Sequence, residues 1–446
     1  MDLSLTTPAG IAPPPAASAS EVDATYRKIT LRLIPFLFAC YLLNFIDRAN
    51  IGFAQLQMKT SLGFSDAAYG LGAAMFFVGY LLFEVPSNLM LKRIGARVTI
   101  MRIMVLWGLA STATMFVQTP MQFYVLRFLL GVFEAGFFPG IVLYLTFWYP
   151  VERRGRVLAL FITAQVAAAF VTSPVSGWIL KNLHGWYGME GWQWMFLIEG
   201  LPTVLLGLMV WFVLPNGPEQ ARWLTTRQRE IVRRGLFVGG EAEAKHSFGA
   251  AFRDPKVYLL AFGAFVSGCA GYFLAFWTPT IIKELGVADL QMIGLYAVIP
   301  NFFGIVAMVL YGRSSDHFNE QRLHWGWAFA VAAIGFLGLS FAIGSGSLVW
   351  TIVAIAVGGS ALVSATPVFW AMATRYLPKD EAPAGIAFIN TLASIAGISP
   401  AVVGAIKTQT GSLDGAIYLL VALFLVAALA VTLGMRRALA APIRAA

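Results

Sequence analysis

Asp47 and Arg48 stand side by side in ACYLLNFIDRANIGFA, residues 39–54, a run whose other side chains are mostly apolar. Arg127 and Glu134 stand seven apart in RFLLGVFEAGFFPG, an equally apolar setting. A charge in hydrocarbon costs several kcal/mol, so ionisable residues there mark function by default. These types suggest one chemistry. An arginine fork holds a carboxylate through two parallel hydrogen bonds. A buried carboxylate beside a cation can take up and release a proton as that neighbour changes. Arg48 suits the first task, Asp47 and Glu134 the second. The competing reading is a static ion-pair cluster that tolerates burial.

Such residues need elements to position them, and composition says which. The 446-residue chain is 59% hydrophobic and 12% charged, with mean hydropathy +0.74. Soluble domains carry about 25% charged residues. The apolar residues fall in runs of roughly 20, enough to cross a ~30 Å hydrocarbon core as helix. The lipid bilayer is therefore a partner. The net charge of +9 is spread over short breaks between these runs and so does not point to nucleic acid. Cys40 and Cys269 both lie in apolar runs, so no disulfide framework is implied. Residues 1–26 read as a disordered cytoplasmic tail, rich in Ala, Pro and Ser and lacking the apolar core of a signal peptide.

Twelve helices are expected, near 29–53, 67–91, 97–118, 120–148, 155–181, 191–214, 256–282, 290–311, 324–343, 347–374, 383–408 and 414–435. Lys and Arg orient them. All but six of the 31 fall on the side of the N-terminus, including Lys379, Arg436, Arg437 and Arg444. Lys59, Lys181, Lys283 and Lys407 take the other side, and Arg48 and Arg127 lie within the membrane. By the positive-inside rule both termini are cytoplasmic.

Residues 215–255 are the one long connection, and they divide the chain into six-helix bundles at 27–214 and 256–437, with 438–446 as a second tail. Within the connection Thr226 could cap a short basic helix lying on the anionic leaflet; a solvated linker is the alternative. A weak repeat at an offset of 228 pairs Gly131 with Gly359, Pro139 with Pro367 and Pro150 with Pro378, as duplication of a six-helix unit would leave. By that repeat Ile355 and Leu362 stand opposite Arg127 and Glu134, which confines the charges to the first half.

At ~1.5 Å per residue, Asp47 and Arg48 lie ~21–24 Å along helix 1, level with Arg127 in helix 4, so depth permits an Asp47–Arg127 pair. Arg127 and Glu134 share one helical face. Asp47 and Arg48 differ by ~100° and cannot address the same partner. One can face helix 4 while the other faces a central cavity.

Six plus six helices with a central loop resembles the major facilitator superfamily. The loop after helix 2, NLMLKRIGARV, keeps Arg93, Gly95 and Arg97 of the superfamily's gating pattern but has Asn88 and Lys92 at its Gly and Asp positions. The loop after helix 8, GRSSDHFNEQR, keeps Gly312, Asp316 and Arg322. The resemblance implies a cytoplasmic latch. A positive-inside anchor would also need arginine there.

Within the superfamily, LNFIDRANIGFA, FEVPSNLMLKRIGAR, RFLLGVFEAGFFPG and GWQWMFLIEGLP are similar to the anion:cation symporters. These include bacterial tartrate, phthalate, 4-hydroxyphenylacetate and sugar-acid permeases and are related to sialin-type carriers. The resemblance implies a proton-coupled importer of a small organic anion, without cofactor, working as a monomer in a bacterial inner membrane. It assigns Arg48 to substrate, Asp47 and Glu134 to protons, and Arg127 to control of the carboxylates. It also places Tyr80, Gln165 and Asn390 at positions that contact substrate hydroxyls, which leans toward a tartrate-like or sugar acid. Trp277 and Trp370, in YFLAFWTPT and TPVFWAMAT, could instead stack an aromatic acid or simply pack. Antiport, uniport and a non-transporting sensor are the other readings. Glu84 is expected to pair with loop cations, and Glu199 has no assignment. The four histidines lie in loops or at helix ends, which suggests no metal site, and no nucleophile or phosphate-binding motif indicates an enzyme.

Overall fold

The computed structural model describes residues 17–238, 253–377 and 382–435; Lys379, Arg436, Arg437, Arg444 and residues 438–446 lie outside them. Among the described residues, twelve helices are long and apolar enough to cross a membrane. Numbered 1 to 12, they are Ala19–Ser61, Asp66–Leu91, Ala96–Phe116, Pro120–Thr146, Val151–Asn182, Gly191–Val213, Pro255–Glu284, Leu290–His317, Arg322–Gly344, Leu348–Tyr376, Gly385–Thr410 and Asp414–Gly434. The described residues contain no strand. Helix starts follow ordinary capping chemistry: Thr119 and Gln122 close a capping box ahead of Pro120, and Asp289 accepts from the Gln291 and Met292 amides.

Helix 1 begins ten residues earlier than its apolar run, so the expected tail is shorter. The Ser18 hydroxyl accepts from the Glu21 amide at 3.2 Å, and Tyr26 packs beside Tyr149 and under Arg153. The connection explains this extension. Its helix, Thr226–Val238, buries Ile231 and Val232, while Lys28 donates to the Trp223 carbonyl and Arg227 pairs with Glu21 at 3.1 Å. The linker helix thus lies against the protein. Its cap is Thr225 rather than Thr226, since Thr225 Oγ1 accepts from the Gln228 amide and Gln228 Oε1 accepts from Thr225 N.

Helices 1–6 pack among themselves and helices 7–12 do likewise, with pairs 3/6, 2/4 and 1/5 matched by 9/12, 8/10 and 7/11. The halves meet on the face opposite the N-terminus, the far face. Gly177 of helix 5 lies against Gly294 of helix 8, and Gly70 of helix 2 against Gly404 of helix 11. A Cβ on Gly294 would sit 2.2 Å from the Ser173 carbonyl oxygen, and one on Gly404 2.3 Å from that of Asp66. Only glycine permits these approaches. Bonds add to the seam: Lys181 pairs with Asp289 at 2.5 Å, the Ala67 amide donates to Thr408 Oγ1 at 2.8 Å, and Lys283 donates to the Leu56 carbonyl. On the N-terminal face the polar contacts named below stay within each half, so the molecule is closed at the far face.

Candidate functional site

Helix 4 positions the central acid by breaking. It runs Pro120–Glu134, leaves helical geometry at Ala135 (ψ 130°) and Gly136 (φ +86°), then resumes at Phe137. The sequence reading has it continuous, and the left-handed glycine supplies the reason for the break. Gly131 brings helix 2 against helix 4, since a Cβ there would meet the Phe76 carbonyl oxygen at 1.9 Å. Broken helices at membrane depth occur where they are buried or line a cavity.

Glu134, with no exposed surface, accepts from Arg48 Nε at 2.5 Å. Arg48 retains 27% side-chain exposure. Its guanidinium lies 5.8, 5.4 and 5.1 Å from the ring centres of Phe45, Phe76 and Tyr80. Tyr272 of helix 7, from the other half, is within electrostatic reach of Arg48 and packs tilted against Phe77, ring centres 4.5 Å apart. The site therefore holds one partly open cation in an aromatic box, tethered to a fully buried carboxylate. An anion reaching Arg48 would compete with Glu134 for it.

Asp47 turns elsewhere, as the ~100° step between neighbours on a helix requires. It accepts from Trp107 Nε1 at 2.8 Å, Ser111 Oγ at 2.6 Å and Thr203 Oγ1 at 3.2 Å, all from helices 3 and 6. The Asp47–Arg127 pair that depth permits is not made. Arg127 is buried with its guanidinium 5.2 Å from the Phe76 ring, and its Nε has no partner. It is Arg48, the residue assigned to substrate, that addresses helix 4. Physically, Asp47 finds three donors among neutral side chains and needs no cation to satisfy its oxygens.

The other candidates fall into two groups. Gln165 is one turn from Ala169 and two from Ser173, on the stripe of helix 5 that meets helix 8, and it is exposed. Asn390 is two turns from Gly397 on the stripe of helix 11 that meets Phe77, and it is exposed too. Tyr80 contacts Arg48. All three lie where the halves part. Trp277 and Trp370 do not join them. Trp277 is fully buried in the far-face seam, edge-on to Tyr69 and 5.3 Å from Lys407 Nζ. Trp370 packs edge-on against Phe369. Glu84 lies within reach of Arg48 rather than of the loop cations, two turns beyond Phe77 on the inner stripe of helix 2. Tyr272 and Phe76 escaped the sequence reading because aromatic side chains are common in membrane helices whether or not they face a cavity.

Among the gating candidates, the resolved contacts stay local. The Arg97 amide donates to Asn216 Oδ1 at 2.9 Å and its Nε to the Leu214 carbonyl at 2.8 Å, fastening helix 3 to the end of helix 6. Gly95 has φ +88°, and a Cβ there would lie 3.0 Å from Asn216 Oδ1. Arg322 donates to the Thr432 carbonyl at 2.6 Å, and Arg375 holds Asn319 and Gln321. Arg93 and Asp316 are exposed, and Gly312 lies in open space.

The described residues contain no cluster of metal-binding side chains. Residues 37–401 and 289–442 match the family model of the Major Facilitator Superfamily. A Pseudomonas putida protein named "Putative metabolite transport protein NicT" is 44% identical over 92% of this chain and 96% of its own. An Agrobacterium vitis "Putative tartrate transporter" is 44% identical over 90% of this chain and 89% of its own. An Acinetobacter baumannii "Quinolone resistance transporter" is 40% identical over 88% and 91%. Among solved structures, a bacterial homologue of the human lysosomal transporter Spinster, in an inward-facing, occupied conformation, superposes with TM-score 0.74 at 18% identity, covering 93% of this chain and 97% of that one. That likeness carries the fold; the sequence matches carry the family. With twelve membrane-length helices in two packed sets and relatives named as transporters along nearly its whole length, this chain is a secondary transporter of small organic substrates, not an enzyme, and belongs to the Major Facilitator Superfamily.

Proposed function

We propose that the chain imports a small organic anion, a tartrate-like hydroxy acid or sugar acid, together with protons. The carrying observation is the Arg48–Glu134 pair, in which the cation is partly open and the carboxylate fully buried. An incoming carboxylate takes Arg48 from Glu134. Glu134, left in a low-dielectric site without its cation, then binds a proton, so anion and proton enter as one event. Asp47 provides a second carboxylate behind the first, and Arg127 biases both by its charge. Tyr80, Gln165 and Asn390 supply hydroxyl and amide partners suited to a polyol acid. The Agrobacterium relative's name agrees with that substrate class. In this reading the termini are cytoplasmic, the open face is the inward one, the two halves rock as units, and one chain suffices in a bacterial inner membrane.

A second reading keeps the mechanism and changes the cargo. Phe45, Phe76, Tyr80 and Tyr272 around Arg48 would also receive the ring of an aromatic acid. Proteoliposome uptake of L-tartrate, an aldonate and phthalate under an imposed inward pH gradient separates these readings. We expect accumulation of one class, abolished by a protonophore, and equilibration without accumulation in Asp47→Asn. If every acid ignores the gradient, proton symport is wrong; trans-stimulated exchange alone would make the protein an antiporter.

A further inference from the structure

Glu199 of helix 6 is a buried carboxylate to which nothing above gives a role. It is 4% exposed, and its Oε1 accepts from Ser176 Oγ of helix 5 at 2.7 Å. Its Oε2 has no partner. Facing it from helix 1 is Asn50, fully buried, whose Oδ1 and Nδ2 are both unpartnered as well. Asp47 from helix 1 and Ser176 from helix 5 act on Glu199, and helix 3 closes on helix 6 at the next residue, where Ser111 and Thr112 lie against Gly200. Arg127 and Glu134 of helix 4 reach Asp47 electrostatically but are not among the groups acting on Glu199. No cation contacts Glu199 among the described residues. Three buried carboxylates of this half, Asp47, Glu134 and Glu199, thus stand against one buried guanidinium, Arg127, and the partly open Arg48.

We propose that Glu199, held between Ser176 and Asn50, is a second proton-binding site of this transporter, separate from the Arg48–Glu134 pair. The inference rests on the proton-coupled reading above and adds a carboxylate to it. A proton on Glu199 Oε2 supplies the missing donor: the new O–H donates to Asn50 Oδ1, which satisfies two orphaned atoms at once and balances the buried charge. When the proton leaves, rotation of the Asn50 amide presents Nδ2 to the bare carboxylate instead. An amide is the one neutral side chain able to serve both states, because it carries donor and acceptor together. Position adds a direction. Ser176 lies near the far-face end of helix 5, and Glu199 lies two turns into helix 6 from that same face. Asn50 is one turn beyond Asp47 toward it. Glu199 therefore stands between Asp47 and the far face, where a proton from that side meets it first.

The test needs no transport substrate. Full-length protein in nanodiscs is titrated by difference infrared spectroscopy, reading the C=O stretch of protonated carboxyls in sodium-free buffer. Wild type should show a protonated-carboxyl band that disappears on alkalinisation, is absent in Glu199→Gln, and persists in Glu134→Gln. Asn50→Asp should shift its midpoint, and Glu199→Asp should keep the band, a control should Glu199→Gln fold poorly. The proposal is overturned if Glu199→Gln leaves every titrating band in place, or if the Glu199 band never titrates, which would make the proton a fixed structural one. It is also overturned if millimolar sodium, added at constant pH, removes the Glu199 band in wild type, since the cation bound there would then be sodium. Loss of the bands assigned to Asp47 and Glu134 while the Glu199 band remains would instead refute the proton-coupled reading on which this rests.

Discussion

Gly294→Ala should open the far face. A Cβ at residue 294 would lie 2.2 Å from the Ser173 carbonyl oxygen, about 0.8 Å closer than Cβ atoms approach in real proteins. The obstacle is backbone on a helix so close that a Cβ on its own Gly177 would lie 3.2 Å from Gly294 Cα, so no side chain can turn aside. Helices 5 and 8 must separate. Overpacking of this kind costs about 1–3 kcal/mol. Because the clash exists only where the halves touch, the cost falls on the closed-face state alone, and a difference of that size shifts a two-state equilibrium by roughly 5–150-fold. The assay is spin-label distance measurement between cysteines introduced at the far-face ends of helices 5 and 8, on a background where the native Cys40 and Cys269 are buried. The expected result is a longer-distance population that grows in Gly294→Ala. Gly155→Ala, in the same helix 5 but with no neighbour within 4 Å, should leave the distribution unchanged. Identical distributions for all three proteins would refute the steric argument.

Glu134→Gln should raise affinity for the transported anion about 10–100-fold at alkaline pH and flatten its pH dependence, because a charged hydrogen bond of about 1.5–3 kcal/mol no longer competes for Arg48; titration calorimetry with the anion identified by uptake reads this, and weaker binding would contradict it. The Lys181 ammonium beside Asp289, with help from the Met292 and Gln291 amides, holds the Asp289 carboxyl below its usual range. A depressed carboxylate contributes above its unfolded value of about 3.9 and loses that contribution as pH falls through the lower folded value. Closure of the far face should therefore weaken only in strong acid and respond mildly to salt, as the same distance measurement would register. Gly95→Ala should destabilise the turn between helices 2 and 3 by about 1–2 kcal/mol, since φ +88° disfavours a Cβ and Asn216 Oδ1 would lie only 3.0 Å from it. A lowered unfolding temperature, with Gly312→Ala near neutral, is the expected outcome.

Much of this molecule was legible in the chain alone. Twelve membrane-length spans follow from apolar run length, because lipid leaves a helix no other way to satisfy its backbone. The divergence of Asp47 from Arg48 follows from 100° per residue. The break after Glu134 had one local cue, the glycine at 136, which a run of apolar neighbours concealed. Partner choice was not legible. That Arg48 rather than Arg127 holds a carboxylate, and that Asp47 turns to Trp107, Ser111 and Thr203, depends on which helix faces which, and side-chain azimuth around a neighbour leaves no trace in hydropathy. The same holds for Trp277, whose burial in the seam reflects where the halves touch. Length and polarity along the chain set which segments are long and apolar enough to cross a membrane and which residues each carries. Only the packing of helices against one another decided which charges meet, because that contact joins residues far apart in the chain.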